Sequence, residues 1–196
     1  MEHSARFRIL AFAAALSWLV GCAPTGIQPG VDDQRRWQLS GRIGLRGDNF
    51  AESASIHWRQ CGPHFDIRLS GPLGQTVARV EGRGDLLSVW INGEAPVVTR
   101  NPEALLLQRL GWSIPVRALR YWVRGETAPG SAASVTGDSR APQALEQLGW
   151  RVDYLAYHSS SELALPARLR LRDPHLTATL IIRDWLLSDA VSGCPA

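Results

Sequence analysis

Along most of this chain apolar and polar residues alternate with a period of two, and turn residues interrupt the alternation at short intervals. That period belongs to strands with one buried and one wet face, which confines the chain to a one-sided antiparallel sheet. Trp37, Leu39, Ile43 and Leu45 alternate with Gln38, Ser40, Arg42 and Gly44 until Gly47-Asp48-Asn49 breaks the run. In Ser53–Arg59, Ile56 and Trp58 oppose His57 and Arg59, and Gln60-Cys61-Gly62-Pro63 signals a hairpin. Phe65, Ile67 and Leu69 mark a third strand, interrupted by Gly71-Pro72-Leu73-Gly74. Gln75–Glu81 is a fourth, and Leu87, Val89 and Ile91 mark a fifth. Asn92-Gly93 is the strongest short hairpin signal, with Ala95–Thr99 as the returning strand. Ahead of all these, Val31–Trp37 is expected to form a short helix.

The period changes in the middle. Asn101 can cap a helix with Pro102 at its first position and Glu103 in its first turn, stopping at Gly111. Leu106, Leu107 and Leu110 are expected to share its inner face. Ser113 offers a second cap, Pro115 opens a second helix and Gly125 closes it. There Leu119, Trp122 and Val123 fall on one face and Arg117, Arg120 and Arg124 on the other. Thr127–Ala141, rich in Ser, Ala, Gly and Pro, reads as a loop.

Strand patterns then return. Gln143–Leu148 turns at Gly149 into Trp150–Tyr157, with Val152, Tyr154 and Ala156 on one side. Ala167–Arg172 turns through Asp173-Pro174-His175 into Leu176–Trp185, where Leu176, Ala178, Leu180 and Ile182 share a face. Roughly ten strands joined by hairpins, with two amphipathic helices inserted after the sixth, describe a barrel-like α+β domain. Its helices cover the apolar face of a curved antiparallel sheet around an interior cavity.

The N-terminus carries an address. Arg6 and Arg8 precede an apolar run from Ile9 to Val20. A basic region followed by about a dozen apolar residues is a secretory signal, too short for a membrane span of roughly 20 residues. Leu19-Val20-Gly21-Cys22 resembles the bacterial lipobox, which implies cleavage before Cys22 and lipidation of its thiol. Residues 1–21 are then the signal peptide, 22–30 a lipidated flexible tether, and 31–196 a single domain. Several acyl chains anchor stably where one does not. In lipoproteins of this kind an Asp after the cysteine retains the protein at the inner membrane, so Ala23 points to the outer membrane.

Composition excludes several classes of function. All 21 basic side chains are Arg, and the formal charge of +3 is small and dispersed, so no nucleic-acid footprint is expected. Arg168-Leu169-Arg170-Leu171-Arg172 reads as the solvent face of a strand. No G-x-S-x-G elbow, His-Glu-x-x-His pair or GxxxxGK[ST] loop occurs, so neither an enzyme nor a cofactor is expected. His57, Cys61 and His64 make a weak metal set without a fourth ligand, and no metal is expected. Gly41, Gly44 and Gly47 recur by threes without preceding a helix, so they do not cradle phosphate. With Cys22 lipidated, Cys61 and Cys194 remain as an even pair that an oxidising compartment permits to bond, although spacing alone leaves their pairing open.

An ordered set of motifs runs through the domain. They are Trp37-x3-Gly41-Arg42, Gly71-Pro72-Leu73-Gly74, Leu110-Gly111-Trp112 into Pro115, and Leu119-Arg120-Tyr121-Trp122-Val123-x-Gly125. Then follow Gly149-Trp150-x-Val152-x-Tyr154, Leu165-Pro166 and Asp184-Trp185. With the lipobox, the set resembles the LolB family of outer-membrane lipoprotein receptors. The resemblance implies a half-open, strongly curved antiparallel sheet of about ten or eleven strands, with a helical lid over a hydrophobic cavity. It implies a monomer that takes acylated lipoproteins from a soluble periplasmic carrier and releases them into outer-membrane lipid. It also implies that Leu73, beside Pro72 on a protruding loop, engages the membrane.

Of eight tryptophans, Trp18 falls in the signal peptide. Large rigid aromatics can line a dry cavity. The candidates for contact with acyl chains are Leu119, Trp122 and Val123 on the lid, with Trp58 and Trp90 depending on which sheet face turns inward. The rival reading is an envelope assembly lipoprotein whose concavity accepts a protein segment.

Overall fold

A computed structural model describes residues 35–196 except 84–85, 160–163, 188–190 and 195–196. The expected signal peptide, Cys22, Ala23 and the tether lie outside the described residues. Six strands come first: β1 (Arg36–Arg46), β2 (Ala51–Cys61), β3 (His64–Ser70), β4 (Thr76–Arg83), β5 (Leu86–Ile91) and β6 (Val97–Thr99). Two helices follow, α1 (Pro102–Leu110) and α2 (Val116–Trp122). The chain returns through β7 (Ala133–Gly137), β8 (Pro142–Gln147), β9 (Trp150–Tyr157), β10 (Pro166–Arg172) and β11 (Thr177–Leu187).

All eleven strands form one antiparallel sheet in the order β6-β5-β4-β3-β2-β1-β11-β10-β9-β8-β7. Each half is a meander, and β1 joins the halves by pairing with β2 on one side and β11 on the other. The edges β6 and β7 have one sheet neighbour each, so the curved sheet is not closed. The chain between those two edges is where α1 and α2 lie. The connectivity thus obliges the helices to run between the two open edges, and their apolar faces find cover only against the concave side.

The period-two pattern set this register. Trp37, Leu39, Ile43 and Leu45 of β1 are buried, as are Ile56 and Trp58 of β2 and Leu169 and Leu171 of β10. Leu176, Ala178, Leu180 and Ile182 are buried at and along β11. Gly41 carries the β1–β11 irregularity, where a β-carbon would sit 2.0 Å from the Ile181 carbonyl oxygen. The Trp37-x3-Gly41 motif therefore marks a close approach of backbones, for which only glycine has room. The Asn92-Gly93 turn forms with both residues at positive φ, and Glu94 N–H donates to the Ile91 carbonyl at 3.0 Å.

Helix α1 begins and ends where the signals placed it. Asn101 Oδ1 accepts from Ala104 N–H at 3.1 Å, and left-handed Gly111 donates to Leu107 O at 3.0 Å. Gly125, at φ 81°, closes the turn after α2.

Several expectations are corrected. Arg36 and Trp37 begin β1 rather than ending a helix, because Trp37 pairs across the sheet with Gln60 and Leu187. The strand after Asn92-Gly93 is only Val97–Thr99. Leu107 is exposed, since the inward stripe of α1 follows i, i+4, i+8 through Pro102, Leu106 and Leu110. Ser113 caps nothing: Pro115 is the N-cap of α2, without a side-chain hydrogen bond. The segment read as a loop contains β7, an edge strand whose five residues are all exposed and so show no alternation. Ala156 is exposed because the β9–β10 register shifts near Pro166 and Arg168, and Tyr157 packs against the core instead.

Candidate functional site

The candidate site is the concave face of the sheet with the helix that fills it. Apolar spacing puts Leu119, Trp122 and Val123 on one side of α2, and that side is buried: Trp122 and Val123 are 0% exposed and Leu119 8%. Trp122 is held at both ends. Its indole N–H donates to Gln147 Oε1 at 2.9 Å, and its carbonyl accepts from Tyr154 Oη at 2.9 Å. Its ring centroid lies 6.4 Å from that of Trp150 on β9. Helix α2 is thereby tied to β8 and β9.

Around β1, where the two halves of the sheet meet, the interior is aromatic. Trp37 lies 5.1 Å from Trp58 and 5.5 Å from Trp185 between ring centroids, and Trp58 lies 6.3 Å from Phe65. Such tilted pairs add about 0.5–1.5 kcal/mol each beyond their buried area. Trp58 is 0% exposed and donates to Gln60 Oε1 at 3.2 Å. The concavity therefore holds two buried glutamines, Gln60 and Gln147, each accepting an indole N–H.

The structure brings Trp58, Leu119, Trp122 and Val123 into one core cluster. It does not bring Trp90 there. On β5 the inward positions are Leu87 and Val89, so Trp90 points to the outer face, where the Arg79 guanidinium lies 4.9 Å from its ring centroid. A strand pattern states which residues share a face, but here Trp90 and Val89 both qualified as apolar until neighbours decided.

Two arginines expected on the wet side of α2 are also relocated. Arg124 has a side chain only 7% exposed and pairs with Glu126, and Arg120 donates to Tyr121 Oη at 2.8 Å. Both guanidinium groups lie near the Tyr121 ring, at 4.8 and 5.9 Å from its centroid. Their long stems let them pack inward while the charged ends find partners. The tyrosines of β9 are both pushed up, Tyr157 to about 12 by burial, and Tyr154 by burial first and by its interaction with Tyr157 second. Both remain neutral donors at physiological pH.

Away from the concavity, Leu73 stands at the tip of the β3–β4 hairpin and is 93% exposed. Gly71 N–H donates to Gln75 O at 2.9 Å, and Gly74 N–H to Gly71 O at 3.0 Å, with Gly74 at φ 81°. The turn thus projects Pro72 and Leu73 outward together. At the other end of β3, Cys61 and Cys194 are bonded at 2.01 Å with Cα atoms 5.5 Å apart. The sulfur of the weak His57, Cys61, His64 set is therefore already committed.

The profile of the family described as "Outer membrane lipoprotein LolB" matches residues 35–185, which spans the whole sheet and both helices up to Trp185. The chain belongs to the LolB family. An outer-membrane lipoprotein LolB of Stutzerimonas stutzeri is 45% identical over 150 residues, covering 76% of this chain and 73% of the relative. The LolB of Pseudomonas paraeruginosa is 37% identical over 198 residues, covering 92% and 96%. Among solved structures, a LolA superfamily protein from Nitrosomonas europaea superposes with a TM-score of 0.51 at 15% identity, covering 80% of this chain and 87% of that one. A DUF1329 family protein from Desulfovibrio piger gives a TM-score of 0.56 at 8% identity, covering 82% and 89%. Those two likenesses concern the fold alone, an open curved sheet shared beyond the LolB family.

Proposed function

We propose that this LolB-family protein is an outer-membrane-anchored receptor that accepts lipoproteins from a periplasmic carrier by their acyl chains and inserts them into the outer membrane. The observation that carries this reading is the placement of α2. An amphipathic helix lies across the open side of a curved sheet and fills the concavity with Leu119, Trp122 and Val123. Side chains docked from a single short helix can be replaced by other apolar groups of similar volume, and acyl chains are such groups.

Energetics support a handover between concavities. Each methylene brought out of water is worth about 0.8 kcal/mol, so whole acyl chains crossing free solvent would face a barrier of tens of kcal/mol. Passage from one apolar interior to another avoids that exposure and needs only a difference in affinity. Cys22 supplies the anchor, Leu73 with Pro72 the contact with outer-membrane lipid, and the Cys61–Cys194 bond ties the tail to β2. Trp58, Leu119, Trp122 and Val123 line the acyl site. The protein acts as a monomer in this scheme and requires no cofactor.

The test is transfer. Protein lacking the Cys22 lipid is mixed with carrier loaded with an acylated lipoprotein, and with the same lipoprotein unacylated. Only the acylated form is expected to move. Equal capture of the unacylated form would replace this reading by that of an assembly lipoprotein that binds a protein segment.

A further inference from the structure

The interior holds donors that no acceptor meets. Trp37 is 2% exposed, and its indole Nε1 is buried without a hydrogen-bond partner. Arg120 Nε is likewise buried and unpartnered. The two residues line one narrow space between α2 and the start of β1, together with Gln60, Gly62 and Arg124. Gln60, which lines the same space, is engaged elsewhere: its Oε1 accepts the Trp58 indole N–H, and its Nε2 donates to Gly62 O at 2.7 Å. Buried donors left unmade are rare in native structures and cost folding free energy, so a pair of them facing one space requires an explanation.

We infer that this space is the subsite for the head of the acyl ligand, where the Trp37 indole N–H and Arg120 Nε–H donate to the ester carbonyl oxygens of the diacylglyceryl group on a lipidated cysteine. The inference rests on the acyl-receptor reading above. A carbonyl is the fitting class because it accepts, carries no charge to desolvate, and sits next to the chains that the apolar concavity takes. The surroundings match: apolar Trp58 and Trp185 adjoin Trp37 on the sheet side, and cationic Arg120 and Arg124 stand at the helix side. The closed protein leaves the space too tight to hold the ligand, so a carbonyl enters only as α2 gives way. The acyl chains replace the apolar contacts that α2 loses, and hydrogen bonds to the carbonyl add to that exchange.

The experiment compares ligands before it compares variants. Protein lacking the Cys22 lipid is titrated with a triacylated cysteinyl peptide and with its ether-linked analogue, which keeps the chains and lacks the ester carbonyls. The ester form is expected to bind about tenfold more tightly, the effect of roughly one to two hydrogen bonds. Trp37→Phe keeps the ring and removes the donor, and Arg120→Met keeps the stem; each is expected to lower the ester-to-ether ratio severalfold while ether binding stays unchanged. A phosphatidylglycerol pair, ester and ether, distinguishes the source of the carbonyl: a preference seen there too assigns the site to glyceryl esters of any lipid. Equal binding of ester and ether by the unaltered protein overturns the subsite and leaves acyl binding standing. Binding of neither overturns the receptor reading itself. Because the first comparison uses no variant, a folding defect in Trp37→Phe does not affect it.

Discussion

The indole N–H of Trp122 donates to Gln147 Oε1 at 2.9 Å, joining the last turn of α2 to a strand 25 residues away in sequence. The same oxygen accepts from Ala128 N–H at 2.8 Å, and Gln147 Nε2 donates to Ala128 O at 2.7 Å. One buried amide therefore satisfies the helix, the segment after it and the sheet. Gln147→Leu would leave these groups unpaired, at about 1–3 kcal/mol for each one that finds no water. A loss of about 3 kcal/mol in urea denaturation is expected, with weaker docking of α2 seen as faster amide exchange in the helix.

Leu73 buries nothing, so Leu73→Glu is expected to leave stability within about 0.5 kcal/mol of the parent. Delivery of lipoproteins into membranes should fail all the same, because a carboxylate at the loop tip resists entry into lipid. Normal lipoprotein sorting in cells carrying only the variant would remove the loop from the mechanism.

Leu148 occupies φ 56° in the two-residue turn between β8 and β9, followed by Gly149 at φ 78°. A branched apolar residue is costly there, and Asn-Gly is the preferred pair for such a turn. Leu148→Asn is expected to raise stability by about 0.5–1 kcal/mol, read as a higher midpoint in urea.

Asp66 on the outer face of β3 accepts forked hydrogen bonds from Arg68 and Arg79. Partial burial alone would push its carboxyl up, but those two guanidinium groups outweigh it and hold it below its ordinary value of 3.8. The folded state thus favours the ionised form. The resulting stability is complete above the unfolded value near pH 4 and is lost as pH falls through the lower folded value. Asp66→Asn is expected to lower stability at pH 7 and to flatten its decline between pH 4 and pH 2.

The Cys61–Cys194 bond spans 133 positions. A cross-link over so long a stretch restricts the unfolded chain strongly, and its removal in Cys61→Ser/Cys194→Ser should cost about 2–5 kcal/mol. Intact mass after alkylation, with and without reductant, counts the thiols directly. Two free thiols in the oxidised protein would contradict the bond.

Much of this molecule was legible from local pattern. Period two located the strands because each has one dry face, and Asn101, Pro102 and Gly111 bounded α1 because capping is a short-range interaction. Leu73 was legible through the Gly71-Pro72-Leu73-Gly74 motif, whose resemblance to the family places it on a protruding loop. Strand β7 was not, since an exposed edge strand imposes no alternation. The fates of Trp90 and Arg124 were not legible either. Trp90 follows Val89 in an apolar run, and Arg124 follows an apolar stripe, so neighbours distant in sequence chose their sides.

Alternation and turn chemistry thus determined, within the chain itself, that there would be a one-sided antiparallel sheet with a pair of helices inserted midway. The tertiary structure alone decided that the helices run between the open edges β6 and β7, and that Trp122 finds Gln147. It alone left the indole N–H of Trp37 buried without an acceptor in the space it shares with Arg120. The physical reason is range: side-chain periodicity and capping act within a few residues, whereas hydrogen-bond satisfaction is settled only when a curved sheet brings remote strands around one helix.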